Sequence, residues 1–155
     1  MINKNVSKNK MISYILLLTP IILGLGSGYF VSRKKIPKVK SYLNPPAWLF
    51  SVVWPILYLL VGYSSYLIWN TSNIVMNTKF FYLFLYVIQV IMVMVWWPYF
   101  VYYPNKLLST ISLVLLSIFA LIITILFFPI YNVAAYCFIP YVIWLSFASF
   151  LTSQT

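Results

Sequence analysis

Five apolar runs, at residues 11–31, 46–69, 80–103, 107–128 and 132–152, take up most of this chain. A helix needs about 20 mainly apolar residues to cross the hydrocarbon core of a bilayer, and each run reaches that length. Lipid offers the backbone no hydrogen-bond partners, so only helices or a closed barrel can cross it. Barrel strands are about ten residues of alternating polarity, whereas these runs are longer and unbroken. The sequence therefore predicts an all-α integral membrane protein, a single domain over residues 1–155 built as a five-transmembrane-helix bundle. The first run is read as a retained span and not as a cleaved signal peptide, because it carries a packing signature of its own. Gly24 and Gly28 stand four residues apart, the spacing that lets helices approach closely. A flexible helix end is the other reading of the same glycines.

The charges agree with a membrane setting. The chain has ten Lys and Arg but no Asp, Glu or His. That composition excludes a carboxylate pair, a Ser-His-Asp triad, a histidine-based metal centre and a calcium loop. Cys137 is the only cysteine, so no internal disulfide can form, and its expected role is small-residue packing. Lys4, Lys8 and Lys10 precede the first run, and Lys79 falls on the same side. Arg33, Lys34, Lys35, Lys38 and Lys40 fill the loop at 32–44, and Lys106 falls with them. Six cations against four put the first loop and the C-terminus on the cytosolic face by the positive-inside rule. No basic, aromatic-interleaved soluble surface is left for nucleic acid, so anionic lipid headgroups of the bilayer are the expected partner of the charge.

Steps of three or four residues sort each run into faces. The second run gives Ser51, Trp54, Tyr58, Gly62, Ser65 and Trp69 on one face. The third gives Tyr82, Tyr86, Gln89, Val93, Trp96, Phe100 and Tyr103. The fifth gives Ala134, Cys137, Tyr141, Trp144, Ala148 and Thr152, and the fourth carries Ser109, Ser112, Ser117, Ala120 and Thr124. Helix packing with interfacial aromatic belts accounts for part of these stripes, with Trp69, Tyr103 and Trp48 as belt residues. A pocket inside the bundle accounts for the rest. Aromatic walls with a few polar groups suit a flat, mainly apolar ligand, and Trp54, Tyr58, Gln89, Trp96 and Trp144 are the candidates.

These residues resemble the TspO/MBR family, the tryptophan-rich sensory proteins and translocator proteins also called peripheral-type benzodiazepine receptors. The likeness rests on Pro45-Pro46-Ala47-Trp48, Trp54, Leu57-Tyr58 and Gly62 in the second run. Gln89, Trp96 and Pro98 carry it in the third, and Pro140-Tyr141, Trp144 and Phe147-Ala148 in the fifth. The resemblance implies a five-helix bundle, commonly a homodimer, with a ligand cavity open toward the first loop. It implies ligand-binding positions at Trp54, Tyr58, Gln89, Val93, Trp96, Tyr141, Trp144 and Ala148. Arg33, Lys34, Lys35, Lys38, Lys40 and Trp48 would stand at the cavity mouth. Porphyrin or haem is the implied ligand, sterol and synthetic benzodiazepine-type compounds are further ones, and no cofactor is required.

The chain departs from the family's usual pattern in places. Val93 stands where an Asn is frequent, Met94 where an aromatic is, Ser112 near a frequent Asp, and Thr152 near a frequent Asn. The expected site is therefore more apolar than is usual in the family, and the animal cholesterol consensus has no counterpart in this sequence. The leading expectation is a translocator- or receptor-like binder of porphyrins or similar flat lipophiles, acting in transport or stress sensing. A light-dependent porphyrin-degrading enzyme is the alternative, with Trp54 and Trp144 as redox neighbours of the pigment. A sterol- or lipid-binding protein is a further one. Proton-coupled transport is disfavoured, because it normally uses an ionisable residue within the membrane.

Overall fold

A computed structural model of the chain describes residues 2–31, 45–72, 74–103 and 105–154. Five helices account for nearly all of them: α1 (Ile2–Val31), α2 (Ala47–Asn70), α3 (Met76–Tyr102), α4 (Lys106–Phe127) and α5 (Asn132–Ser153). All five are long and apolar enough to cross a membrane, so the chain is a multi-pass membrane protein. The boundaries differ from the sequence expectation mainly at two starts. α1 begins well before residue 11 and α3 before residue 80. Hydropathy marks where lipid begins, whereas a helix continues into the interface as long as nothing breaks its hydrogen bonds.

With no acidic residue available for any first turn, capping falls to other groups. Asn105 caps α4 through its side chain, which accepts from Leu108 N at 3.1 Å. Pro46 precedes α2 in an extended conformation, where its missing N–H costs nothing. At the other end of α2, Lys79 donates from Nζ to the Trp69 carbonyl at 2.8 Å. A cation is favourable there because the helix dipole leaves partial negative charge on the last carbonyls.

Successive helices run antiparallel, and their neighbours define a closed ring in the order α1, α2, α5, α4, α3, back to α1. The α4–α5 and α1–α2 contacts are the most extensive, and α2 also touches α3. Large apolar side chains such as Ile22, Leu25, Phe84, Ile91, Val95, Leu115 and Ile125 point outward. Gln89, Ser13, Ser64, Ser65, Ser109, Ser117, Thr124 and Thr152 are buried inside. Lipid rewards this arrangement, because polar side chains must then find partners within the bundle. Ser64 Oγ donates to Ala134 O at 2.8 Å and joins α2 to α5. Ser13 Oγ donates to Asn70 Oδ1 at 3.1 Å and joins α1 to α2.

Two glycines set how near α1 lies to α2. A Cβ on Gly62 would fall 2.2 Å from the Leu17 carbonyl oxygen, so backbone meets backbone there. A Cβ on Gly24 would fall 2.1 Å from the Tyr58 ring. The close approach expected of Gly24 is therefore present, but against an aromatic ring. Gly28 lies outside the residues whose surroundings are described.

Candidate ligand-binding site

Connectivity puts the end of α1, the start of α2, the end of α3, the start of α4 and the end of α5 at one face of the bundle. This loop end takes its name from residues 32–44. Arg33, Lys34, Lys35, Lys38 and Lys40, expected at a cavity mouth, lie outside the described residues. Trp48, in the first turn of α2, is 64% exposed and takes no part in the interior.

The site begins one turn further in. Trp54 on α2 and Trp144 on α5 meet edge to face, with ring centroids 6.5 Å apart. Tyr58, one turn below Trp54, lies 5.4 Å from it in a tilted pair. This spacing of four residues puts both rings on one face of α2, and Gly24 leaves room for the Tyr58 ring. Phe50 packs edge-on to Trp144 at 5.5 Å, and Phe147 lies 5.6 Å from it. Trp54, Tyr58 and Trp144 are all half-buried. Phe50 was not singled out by the sequence, although it precedes Trp54 by four residues on the same face.

Deeper in, Gln89 and Tyr141 are brought together. Gln89 is fully buried, and its Nε2 donates to Tyr141 Oη at 3.1 Å and to Leu116 O at 3.4 Å. This amide therefore ties α3 to both α4 and α5. Val93 and Ala148, also expected at the site, are buried on α3 and α5. Trp96 is buried too, but its ring neighbours are Phe100, stacked at 5.3 Å, and Trp97 at 5.9 Å. The expected residues thus fall into an aromatic group on α2 and α5, a polar pair on α3 and α5, and a stack on α3.

Trp69 requires a correction. It was expected in an interfacial belt, but it is only 7% exposed and packs edge-on to Phe80 at 6.1 Å. Its place is the contact between the end of α2 and the start of α3. Tyr103, at the end of α3, is 68% exposed. Cys137 is half-buried on α5.

Several polar atoms at the site are unpaired. Trp144 Nε1, Trp96 Nε1 and Gln89 Oε1 are buried and have no hydrogen-bond partner within the protein. Leaving such a group unpaired costs about 1–3 kcal/mol. Among the described residues, no group of His, Cys, Asp or Glu could hold a metal ion. The chemistry on offer is aromatic contact, indole N–H donation and one amide. That repertoire suits contact with flat, mainly apolar molecules. A shallow surface concavity by Asn105, Lys106, Leu107, Thr110 and Ser153 contains none of the expected site residues.

Comparison with known proteins bears on this arrangement. Residues 16–155 match the TspO/MBR family. The chain is 30% identical over 117 residues to the tryptophan-rich protein TspO of Chlorobaculum tepidum, an alignment covering 73% of this chain and 71% of that protein. It is 31% identical over 112 residues to the translocator protein of Homo sapiens, covering 72% and 66% of the two chains. A translocator protein homolog of Schizosaccharomyces pombe is 27% identical over 137 residues, covering 86% and 84%. With a match that runs from within α1 through all the later helices, this five-helix membrane protein belongs to the TspO/MBR family.

Proposed function

We propose that this protein binds porphyrins, or flat lipophiles of similar shape, among the aromatic rings at the loop end, in a translocator- or receptor-like role. The observation that carries the reading is the Trp54–Trp144 contact, with Trp144 Nε1 buried and unpaired. A macrocycle entering between the rings exchanges ring–ring contact for stacking on a larger π-surface. An acceptor at its edge satisfies the indole N–H. Both gains are larger in a water-poor bundle than in water.

The test is a titration of purified protein with protoporphyrin, followed by tryptophan fluorescence. Saturable quenching is expected. Trp54→Ala and Trp144→Ala should each weaken binding about 2- to 10-fold, the value of one aromatic contact. Absence of saturable quenching in folded protein defeats the reading.

The same contact favours a second reading, photo-oxidative breakdown of the bound pigment, because an indole in van der Waals contact can donate an electron to an excited macrocycle. Illumination with oxygen would then yield a discrete product, and Trp144→Phe would suppress it. Bleaching no faster than that of free pigment in micelles leaves binding alone.

A further inference from the structure

Beyond the Trp54–Trp144 contact, two further unpaired donors face the interior. Trp96 Nε1 and Ser109 Oγ are buried without a hydrogen-bond partner in the protein. Gln89 Nε2 reaches the Leu116 carbonyl and so fixes the antiparallel register of α3 on α4. Trp96 follows Gln89 by seven residues, and Ser109 precedes Leu116 by seven. Seven residues make two helical turns, so Trp96 and Ser109 share one level of the bundle. Both point inward, Trp96 being 7% exposed and Ser109 0%.

The isolation of Ser109 is unusual on its own helix. Thr110, Ser112, Ser117 and Thr124 all donate to the carbonyl four residues back. Ser109 has the same option at Asn105 O, which already accepts from Ser109 N at 2.9 Å. Its hydroxyl does not use that option. The indole of Trp96 can only donate. Ser109 also lies in the first turns of α4, where the helix dipole is positive. An oxygen acceptor suits all three features.

Charge decides which oxygen. The cations whose side chains are described are Lys10, Lys79 and Lys106. Lys10 and Lys106 are exposed, and Lys79 is bonded to Trp69 O at the opposite end. A carboxylate enclosed between the buried Trp96 and Ser109 would lose its solvation, a cost that the exposed Lys106 ammonium, one turn before Ser109, offsets only weakly through water. A neutral carbonyl loses far less solvation and meets two donors.

We propose that Trp96 Nε1 and Ser109 Oγ form a two-donor subsite for the carbonyl oxygen of a flat aromatic ligand: a ketone, amide or ester. The proposal deepens the binding role above and rests on it. Aromatic rings hold any flat apolar molecule, whereas this subsite selects molecules with a carbonyl at one edge and orients them across the bundle toward α3 and α4.

The experiment uses the whole chain in micelles and two pairs of probes that differ in the carbonyl: mesoporphyrin dimethyl ester against etioporphyrin, and benzophenone against diphenylmethane. The wild type should bind the carbonyl member of each pair about 3- to 10-fold more tightly, the worth of one or two hydrogen bonds. Trp96→Phe, which keeps a ring against Phe100, and Ser109→Ala should each remove most of that preference. Any loss for the alkyl members should be smaller than the loss for their carbonyl partners. Absence of a preference in the wild type overturns the subsite without need of a variant. A preference that survives both substitutions, or equal losses for both members of a pair, overturns it too. A carbonyl preference for benzophenone with neither porphyrin bound keeps the subsite and defeats the porphyrin reading. Equal binding of both porphyrins with no preference for benzophenone does the reverse. No binding of any of the four probes to folded protein defeats both.

Discussion

Pro20 lacks the amide that would bond to the carbonyl of Leu16, four residues back in α1. That carbonyl is served from outside the helix. Tyr86 Oη donates to it at 2.8 Å from α3, and Ser65 Oγ lies 3.5 Å away on α2. One residue type in α1 thus explains why a tyrosine and a serine are buried opposite it. Tyr86→Phe should lower stability by about 0.5–1.5 kcal/mol, the usual range for a hydrogen bond between membrane helices. The same change in a Pro20→Ala background should cost less, because α1 then satisfies Leu16 itself. Thermal melting of the wild type and the three variants in one detergent measures the coupling, and equal losses in both backgrounds would refute the link. Trp69 calls for a different outcome at this scale. Because it packs on Phe80, Trp69→Ala should lower the melting temperature and leave porphyrin affinity unchanged, the opposite pattern to Trp54→Ala.

At the scale of the element, the α1–α2 contact depends on a missing side chain. A Cβ on Gly62 meets the Leu17 carbonyl, which belongs to backbone and has little freedom to move. Gly62→Ala should therefore part the two helices and destabilise the fold, whereas Gly26→Ala should be neutral or stabilising, since nothing lies within 4 Å of that position. Melting temperatures of the two variants, read side by side, check this. Much of the interior was legible in the sequence. On α3, the run of Tyr86, Gln89, Val93, Trp96 and Phe100 is buried as its spacing predicts, because a helical stripe richer in polar atoms than the rest must avoid lipid. Trp69 was misread because an amphipathic side chain at a helix end suits a headgroup layer and a helix contact equally. Only Phe80, on the next helix, distinguishes them. The separation of Trp96 from Trp54 and Trp144 was also hidden, since spacing within a helix assigns a face and not a neighbour.

For the whole molecule, the order of helices around the ring could not be read from composition, because apolar surfaces have no preference between lipid tails and one another. The absence of Asp, Glu and His, by contrast, sets a property of the entire bundle. Free Cys, Tyr, Lys and Arg side chains titrate above about pH 8. Stability changes with pH only where folded and unfolded chains bind different numbers of protons. The sequence has no side-chain carboxylate or imidazole to titrate in the acid range, so the melting temperature should be the same at about pH 4.5 and about pH 7. A ligand affinity that varies in that interval then reports protons on the ligand, and a melting curve that shifts without ligand would contradict the argument. The proline in α1 has a last consequence, for biogenesis. α1 emerges from the ribosome before α2 and α3, yet its open carbonyl at Leu16 is answered by residues of those two helices. Until those arrive, α1 in lipid carries an unsatisfied group that a protein-lined translocon can shelter. Nascent chains stalled before Tyr86 should accordingly crosslink to the translocon through α1 for longer than the same chains with Pro20→Ala. Equal lifetimes would mean that α1 leaves for the bilayer without waiting for its partners.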